Sequence, residues 1–225
     1  MAWRCSGATN EELIDNLAKA NIIKSEIIKN TFKRVDRGNY APSNPYQDGP
    51  QGIGYQVTIS APHMHANAIE YLQNQIIKDG SKVLDIGCGS GYLSAVMSRL
   101  NPSATVFGID YIPQLVELSI NNVQKSDNDL LLSKKVQFVV GDGWNGLESS
   151  GPFDAIHVGA AAAKIPLPLV KQLKVGGRMV IPVGEQGESQ ELLLVDKLME
   201  GVTEDCVSVQ RLMGVRYVPL VKCEK

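Results

Sequence analysis

"VLDIGCGSGYLS", residues 83–94, decides the fold class of this chain. An apolar run leads into glycines at Gly87, Gly89 and Gly91, and helix-forming residues follow. Glycine lets the backbone turn tightly and approach a ligand closely, and the first turn of a helix has free N–H groups. This order predicts a ligand crevice at the carboxyl end of the first strand of an open α/β sheet.

The segments after this loop continue the alternation of strand and helix. Strands are predicted at "TVFGID" (105–110), "VQFVVGDG" (136–143), "FDAIHVG" (153–159) and "GRMVIPVG" (177–184), and helices at 92–100, 113–125 and 166–173. Such alternation predicts right-handed crossovers and a mainly parallel sheet. In the last third, residues 191–221, we expect two or three antiparallel strands added at one edge.

The first forty residues have helical patterning. "TNEE" (9–12) is a capping box that begins with Thr9, and Ser25 is expected to cap a second helix. Residues 41–54 are rich in Pro, Gly, Asn and Asp and are expected to form a loop. We therefore predict one α/β domain over residues 1–225, with a helical extension and loop over 1–55 and the α/β core over 56–225.

Composition narrows the function classes. A hydrophobic fraction of 44% in 225 residues is typical of a globular protein. The net charge of -2, without a basic run, argues against a nucleic-acid partner. Apolar runs are too short for a membrane span, and no signal peptide is visible. Four cysteines without a CxxC pair argue against zinc and disulfides and favour the reducing cytosol.

Two acidic residues extend the glycine loop into a nucleoside site. Asp110 ends the second strand of the core, where a carboxylate can accept both ribose hydroxyls. Asp142 follows the third strand, and Gly143 lets the chain pass close to a flat ring. Each acid alone is equally explained as a turn or cap residue. Together with the loop, at successive strand ends, they predict a nucleoside site.

The loop itself distinguishes between nucleosides. Dinucleotide-binding loops usually have the pattern G-x-G-x-x-G, whereas these glycines are one residue closer together, and Asp85 stands two residues before the first. A carboxylate there suits a cationic ligand better than a pyrophosphate. The pattern D-x-G-x-G-x-G resembles the motif of class I methyltransferases, whose S-adenosyl-L-methionine carries an ammonium and a sulfonium.

"VTISAPHMHA", residues 57–66, holds two of the three histidines of the chain. It allows three interpretations: a nucleophile with its base, half a metal site, or the start of a helix. Pro62 suits a first helical turn, and Ser60 or Thr58 would cap it. We expect His63 at the surface and His65 facing inward. No cluster of Cys, His or acidic residues joins the histidines to make a metal site, so no metal is predicted. The sequence also shows no serine hydrolase motif and no acid that would orient a Ser–His pair.

The fourth core strand supplies no catalytic base. "HVGAAAAKIP" (157–166) offers small residues and main-chain groups, and His157 is interpreted as a packed or hydrogen-bonded structural residue. The chemistry therefore either needs no base or takes its groups from residues 57–66.

Six segments, in order, resemble protein-L-isoaspartate (D-aspartate) O-methyltransferases. They are "GYQVTISAPHMHA", "LDIGCGSGYLS", "VVGDGW", "FDAIHVGAAA", "LKVGGRMVIPVG" and "MGVRYVPL". "MAWR" (1–4) and "NPYQD" (44–48) are similar to the animal cytosolic form. The resemblance implies a Rossmann-like class I methyltransferase sheet with helices on both faces, an N-terminal helical cap and C-terminal edge strands. It also implies methyl transfer from S-adenosyl-L-methionine to the free carboxylate of L-isoaspartyl, and of D-aspartyl, residues in damaged proteins and peptides, which initiates their repair and leaves S-adenosyl-L-homocysteine.

The resemblance also implies the site residues. Cofactor contacts are expected at Val57, Thr58, Ile59, Ser60, His65, Asp85, Gly87, Gly89, Ser90, Asp110, Tyr111, Asp142 and Gly143. Ser60 is the expected catalytic residue, as a hydrogen-bond donor to the substrate carboxylate. A cleft for extended peptide is expected between residues 159–163, the loop around Ile53 and residues 215–220. After "YVPL" the family has Thr where this chain has Val221, which removes a hydroxyl contact.

Three other functions remain open at this point. The chain could be another class I methyltransferase acting on a small molecule, a binding module that keeps the nucleoside pocket, or a nicotinamide-dependent dehydrogenase. Over these three alternatives we expect the function that the resemblance implies, an isoaspartyl methyltransferase acting as a monomer in the cytosol.

Overall fold

A seven-stranded sheet forms the centre of the computed structural model, which describes residues 5–222. "MAWR" and Cys223 lie outside these residues. The strands are β1 (Gln51–Gly54), β2 (Val57–Ile59), β3 (Lys82–Ile86), β4 (Thr105–Asp110), β5 (Val136–Val140), β6 (Phe153–Val158), β7 (Leu173–Val183), β8 (Gln190–Lys197) and β9 (Val207–Val215). The helices are α1 (Asn10–Lys19), α2 (Glu26–Arg34), α3 (Pro62–Ile76), α4 (Tyr92–Leu100), α5 (Pro113–Ser126), α6 (Asn128–Leu132) and α7 (Leu167–Gln172).

The order of the sheet is β5-β4-β3-β6-β7-β8-β9. Strands β3 to β7 pair in parallel, and β8 and β9 are antiparallel additions at one edge, as the sequence predicted. The chain leaves β3 towards β4 on one side, and returns to β6 on the other. This change of direction opens a crevice at the carboxyl ends of β3, β4 and β6, which is where ligands bind in open α/β sheets.

Alternation along β3 and its neighbours divides the core into two layers. Val83 belongs to the layer that includes α1 to α5, whereas Leu84 and Ile86 belong to the layer covered by α7. Because successive side chains of a strand point to opposite faces, Asp85 shares the face of Val83. The helices on both faces confirm the predicted α/β class.

The N-terminal helices begin differently from one another. Thr9 Oγ1 accepts a hydrogen bond from the Glu12 N–H at 3.2 Å, which confirms the predicted cap. The Glu12 carboxylate returns the bond to the Ala8 N–H, at 2.8 Å, and not to the N–H of Thr9 as in a standard capping box. Ser25 stands at the start of α2 but makes no side-chain cap. Glu70 accepts from the Ser25 N–H instead, at 3.0 Å, which ties α2 to α3.

Several element boundaries depart from the sequence predictions. The predicted loop 41–54 ends in the short strand β1, which pairs with β2 as a separate two-stranded sheet. Helix α6 was not predicted, and β7 begins at Leu173, before the predicted 177. Within residues 5–222, every helix falls short of the length and apolar character that a membrane crossing requires.

Candidate active site

The glycine loop between β3 and α4 has a backbone that only glycine adopts readily. Gly87, Gly89 and Gly91 have φ values of 71°, 52° and 80°, in the left-handed region that is strained for other residues. A Cβ on Gly91 would also lie 3.1 Å from Ser119 Cβ. The Gly87 N–H donates to the carbonyl of Ile109 at 2.8 Å, so the loop is tied to the end of β4.

Asp110 borders a cavity of about 400 Å³ beside this loop, here called the glycine-loop cavity. Its carboxylate accepts from the Gly89 N–H at 3.2 Å and the Ile112 N–H at 3.1 Å. Burial raises the pKa of Asp110 above its ordinary value, and these backbone donors oppose that rise. The cavity is also lined by Val57, Thr58, Gly87, Tyr111, Gly143, Gly159 and residues 218–221.

Asp142 does not line this cavity, although its neighbour does. The Asp142 carboxylate accepts from the Trp144 N–H at 2.9 Å and from the Asn145 side-chain amide at 3.0 Å, which closes its own turn. At Gly143, a Cβ would lie 2.7 Å from side-chain carbons of both Ile86 and Leu220, so a larger residue at this position of the cavity wall would displace them. Of the two cofactor contacts predicted in this turn, only Gly143 lies at the cavity, where it offers its backbone.

A small chamber on the other side of the glycine loop contains Asp85. Asp85 is 1% exposed, and its carboxylate bonds the His157 ring at 2.8 Å and the Ser94 hydroxyl at 2.5 Å. His157 is thus the hydrogen-bonded structural residue that the sequence predicted. The buried chamber is also lined by Thr58, Ile59, Ser60, His65, Gly87, Gly89, Ser90 and Gly159.

Residues 57–66 form strand β2 and the start of α3. Ala61, not Ser60 or Thr58, is the N-cap residue and makes no side-chain cap, so the predicted cap is wrong. The Asp48 carboxylate instead accepts from the His63 N–H in the first turn, at 3.0 Å. His65 is buried, as predicted. His63 is not simply a surface residue: its Nδ1 lies 2.7 Å from the buried carboxylate of Asp48.

That carboxylate is an acid which the sequence did not reveal. Asp48 lies 15 residues before His63, in the predicted loop. It orients the imidazole, but no hydrogen bond joins His63 to Ser60 within the described residues, so the three do not form a catalytic triad. The described residues also contain no group of three or more His, Cys, Asp or Glu side chains suited to a metal ion.

An open groove of about 730 Å³ adjoins the chamber. It is lined by Thr58, Ser60, His63, Met64, Gly159, residues 186–188 and residues 214–219. Of the residues predicted to form the peptide cleft, Gly159 and residues 215–219 line this groove. Ile53, Ala161 and Ala162 are instead buried, and Ala161 pairs with Pro219.

Tyr217 lines the open groove together with Ser60, and its phenol lies beside the Ser60 hydroxyl. The buried side chain of Gln190 holds its main chain, because Oε1 accepts from the Tyr217 N–H at 2.6 Å and Nε2 donates to its carbonyl at 3.3 Å. Burial raises the pKa of the Tyr217 phenol to about 12, while the adjacent Ser60 hydroxyl acts to lower it. The phenol therefore remains protonated at neutral pH.

Three cavities converge at one place. Thr58 and Gly159 line the glycine-loop cavity, the buried chamber and the open groove. Ser60 lines the chamber and the groove. Of the thirteen residues predicted for the site, all except Asp142 line at least one of these cavities. Arg37, Asp48 and Gln190 were missed, because each reaches the site through contacts distant in sequence, and the individual role of Tyr217 within residues 215–220 was not predicted.

Known proteins resemble this chain over its length. The family model "Protein-L-isoaspartate(D-aspartate) O-methyltransferase (PCMT)" matches residues 8–225. A protein-L-isoaspartate O-methyltransferase of Caenorhabditis elegans is 45% identical over 100% of this chain and 98% of its own length. One from Triticum aestivum is 43% identical over 94% of this chain and 90% of its own.

A solved structure extends the likeness to the fold. It is a crystal structure from Plasmodium falciparum, described as a protein-L-isoaspartate O-methyltransferase in complex with S-adenosyl-L-homocysteine. It is 34% identical to this chain, with a TM-score of 0.86, and the match covers 96% of this chain and 100% of that one.

Proposed function

The chain belongs to the protein-L-isoaspartate(D-aspartate) O-methyltransferase family, and from that membership we propose how its residues carry out methyl transfer. It is an S-adenosylmethionine-dependent protein carboxyl O-methyltransferase with a Rossmann-like class I fold. Its substrates are isoaspartyl residues in proteins and peptides, which are methylated on the free carboxylate.

The meeting of three cavities at Thr58 and Gly159 carries the proposal. The glycine-loop cavity fits a nucleoside, because it combines the buried acceptor Asp110 with a wall at Gly143 that lacks a side chain. The buried chamber has a volume of only about 30 Å³, but it adjoins the glycine loop and places the Asp85 carboxylate where it would attract the cationic amino-acid end of the cofactor. The open groove fits the substrate peptide. Their junction is where the methyl donor and the carboxylate would meet.

The cofactor residues are proposed on the same basis. Asp110 accepts the ribose hydroxyls, the Gly143 backbone borders the adenine, and the glycine loop, His65 and Ser90 surround the amino-acid end. Bound S-adenosyl-L-methionine supplies an activated methyl group on a sulfonium. At Val221, which is 39% exposed and lines the glycine-loop cavity, the backbone remains the available contact.

The missing base agrees with this chemistry. A peptide α-carboxyl group has a pKa of about 3.5 and is ionised at neutral pH. Such a carboxylate can attack a sulfonium methyl without proton abstraction, so the site needs to align the two groups and exclude water. Orientation of this kind supplies roughly 7–11 kcal/mol in favourable cases.

Ser60 is proposed to position the substrate carboxylate. Its hydroxyl is not used to cap α3, and it lies at the boundary between chamber and groove. Tyr217, protonated and beside Ser60, is placed to offer a second donor on the groove side.

Domain organisation, a second substrate and the state of the protein in the cell complete the proposal. One domain is supported by a hydrophobic cluster that joins residues of α1 and α2 to residues of the sheet. We also propose activity on D-aspartyl residues and a cytosolic monomer that binds neither nucleic acid nor membrane, in keeping with its net charge of -2. A D-aspartyl peptide assay tests the activity on D-aspartyl residues, and sedimentation tests the monomeric state.

Paired peptides test the proposed function. Tritiated methyl transfer from S-adenosyl-L-methionine is measured for two peptides that differ only in isoaspartate or aspartate at one position. We expect methylation of the isoaspartyl peptide and negligible methylation of its partner, because the extra main-chain methylene brings the carboxylate to the junction while the peptide lies in the groove. Equal kcat/KM for both peptides would contradict the proposal. Methylation of small molecules alone would favour another class I methyltransferase.

A further inference from the structure

Arg37 is buried without an acidic partner. It lies in the short helical turn Arg37–Asn39 between α2 and β1 and is 0% exposed. Among the described residues it forms no ion pair with a carboxylate, and its Nε has no hydrogen-bond partner. Removing a charge from water without a paired opposite charge is costly. Burial lowers the pKa of Arg37 to about 10 and outweighs the Asp48 carboxylate, which favours the charged guanidinium only through its field, without a hydrogen bond.

The guanidinium contacts both ends of residues 60–65, the segment that begins at Ser60 and ends at His65. Its Nη2 donates to the Ser60 carbonyl at 2.8 Å, and its Nη1 lies 3.4 Å from His65 Nδ1. The same group stands 5.3 Å from the ring centroid of Tyr92. One side chain from the N-terminal extension thus reaches the chamber wall at two points.

These contacts determine which nitrogen of His65 carries a proton. An arginine side chain has donors only, so His65 Nδ1 must accept and the proton of the neutral ring lies on Nε2. Burial, followed by the charge of Arg37, holds the pKa of His65 well below its ordinary value, which keeps the ring neutral. Because the ring borders the buried chamber, Nε2–H is the polar group it offers there.

We propose that Arg37 is a positioning residue for methyl transfer, which fixes the main chain of Ser60 through its carbonyl and holds His65 as the Nε2–H tautomer. The proposal rests on the function proposed above, since it takes Ser60 and His65 as parts of the site. The forked guanidinium serves both acceptors at once, whereas a lysine ammonium is a single point charge. Arg37→Lys therefore retains one contact at most.

Nitrogen-15 NMR and kinetics test this role together. The chain has three histidines, so the two ring nitrogens of His65 can be assigned by comparison with a His65→Gln variant. We expect the Nε2–H tautomer in the wild-type protein and a mixture of tautomers in Arg37→Met. With the isoaspartyl peptide, kcat should fall at least tenfold in Arg37→Met and less in Arg37→Lys, while KM changes little.

Tyr40→Phe is the matched control. Tyr40 follows the same helical turn and donates a buried hydrogen bond to Asp127 at 2.7 Å, so its loss perturbs the neighbouring structure while Arg37 is retained. We expect a lower melting temperature in this variant with the His65 tautomer and kcat unchanged.

Two results would overturn the proposal. One is an Nδ1–H tautomer of His65 in the wild-type protein, which decides the question even if Arg37→Met does not fold. The other is wild-type kcat with an unchanged tautomer in a folded Arg37→Met or Arg37→Lys. A wild-type protein that does not methylate the isoaspartyl peptide contradicts the proposed function instead, and its His65 spectrum still tests the tautomer.

Discussion

Asp85 and His157 face each other across neighbouring parallel strands, and the Nδ1 atom of His157 donates to Asp85 Oδ1 at 2.8 Å. Ser94 donates to the other carboxylate oxygen. Each carboxylate oxygen has two lone-pair positions, so these bonds hold the Asp85 side chain in place and leave acceptor capacity towards the buried chamber. The pair thus combines a structural bond between β3 and β6 with a fixed negative charge in the site.

Asp85→Asn should weaken the binding of the amino-acid end of the cofactor and leave the binding of its nucleoside end unchanged. We expect binding of S-adenosyl-L-homocysteine to weaken by roughly tenfold or more, as for the loss of a hydrogen bond to a charged group worth about 1.5–3 kcal/mol. Binding of 5′-methylthioadenosine should change little, because that nucleoside lacks the amino-acid end. Calorimetry measures both affinities. An equal loss for the two ligands would mean that Asp85 acts through the fold and not through its charge.

Asp110→Ala should weaken the binding of both ligands. The carboxylate borders the glycine-loop cavity, where it can accept from ribose hydroxyls, and the loss is expected to be roughly 1.5–3 kcal/mol. The matched control is Asp142→Ala, whose carboxylate closes its own turn, and which should reduce affinity less. Unchanged affinity in Asp110→Ala would remove this residue from the site.

Cofactor affinity should depend on pH through the same carboxyl group. Burial disfavours the charged form and raises the pKa of Asp110, so on acidification this group is protonated before an exposed aspartate. Affinity for S-adenosyl-L-homocysteine should therefore begin to fall at a higher pH than it would for a carboxyl group of ordinary pKa, and the fall should be smaller in Asp110→Asn.

The effect of Asp110 on folding has the opposite sign. A carboxyl group with a raised pKa in the folded state lowers the free energy of unfolding above that pKa and ceases to do so as pH falls through it. Unfolding by denaturant at several pH values, without ligand, measures this difference between the wild type and Asp110→Asn. An affinity profile that is identical in the two proteins would show that another group titrates.

Ser60→Ala should affect turnover more than stability. We expect kcat/KM for the isoaspartyl peptide to fall by roughly tenfold or more, because a hydrogen bond to the ionised carboxylate is lost. Cofactor affinity and melting temperature should change little, since Ser60 does not cap α3. A cap residue would instead have cost about 1 kcal/mol of stability on substitution.

A chiral methyl group tests the same residue by stereochemistry. Direct transfer from the sulfonium to the carboxylate inverts the methyl configuration, which is the expected result. Retention, or a trapped methylated Ser60, would show that the serine is a nucleophile.

Much of the fold was predictable because its signals are local. The apolar strands, the glycine loop and the antiparallel edge are each specified by residues adjacent in the chain, and β4 was predicted to its terminal residues. Helix α6 was missed because its five residues have no side-chain cap and are too few for a periodic pattern. Ser25 is the N-cap residue of α2, but its side chain makes no cap bond, and Glu70, distant in sequence, accepts from the Ser25 N–H itself.

The sequence by itself determined the fold class, the family and the strand ends near which Asp85, Asp110 and Gly143 lie, because backbone conformation and hydrophobic period depend on neighbouring residues. Only the tertiary structure decided what the polar side chains do. Asp142 closes its own turn, Asp48 orients His63, and Arg37 holds the carbonyl of Ser60. The physical reason is that a buried polar group must find its hydrogen-bond partner in space, and for Asp48 and Arg37 those partners lie 15 and 23 residues away.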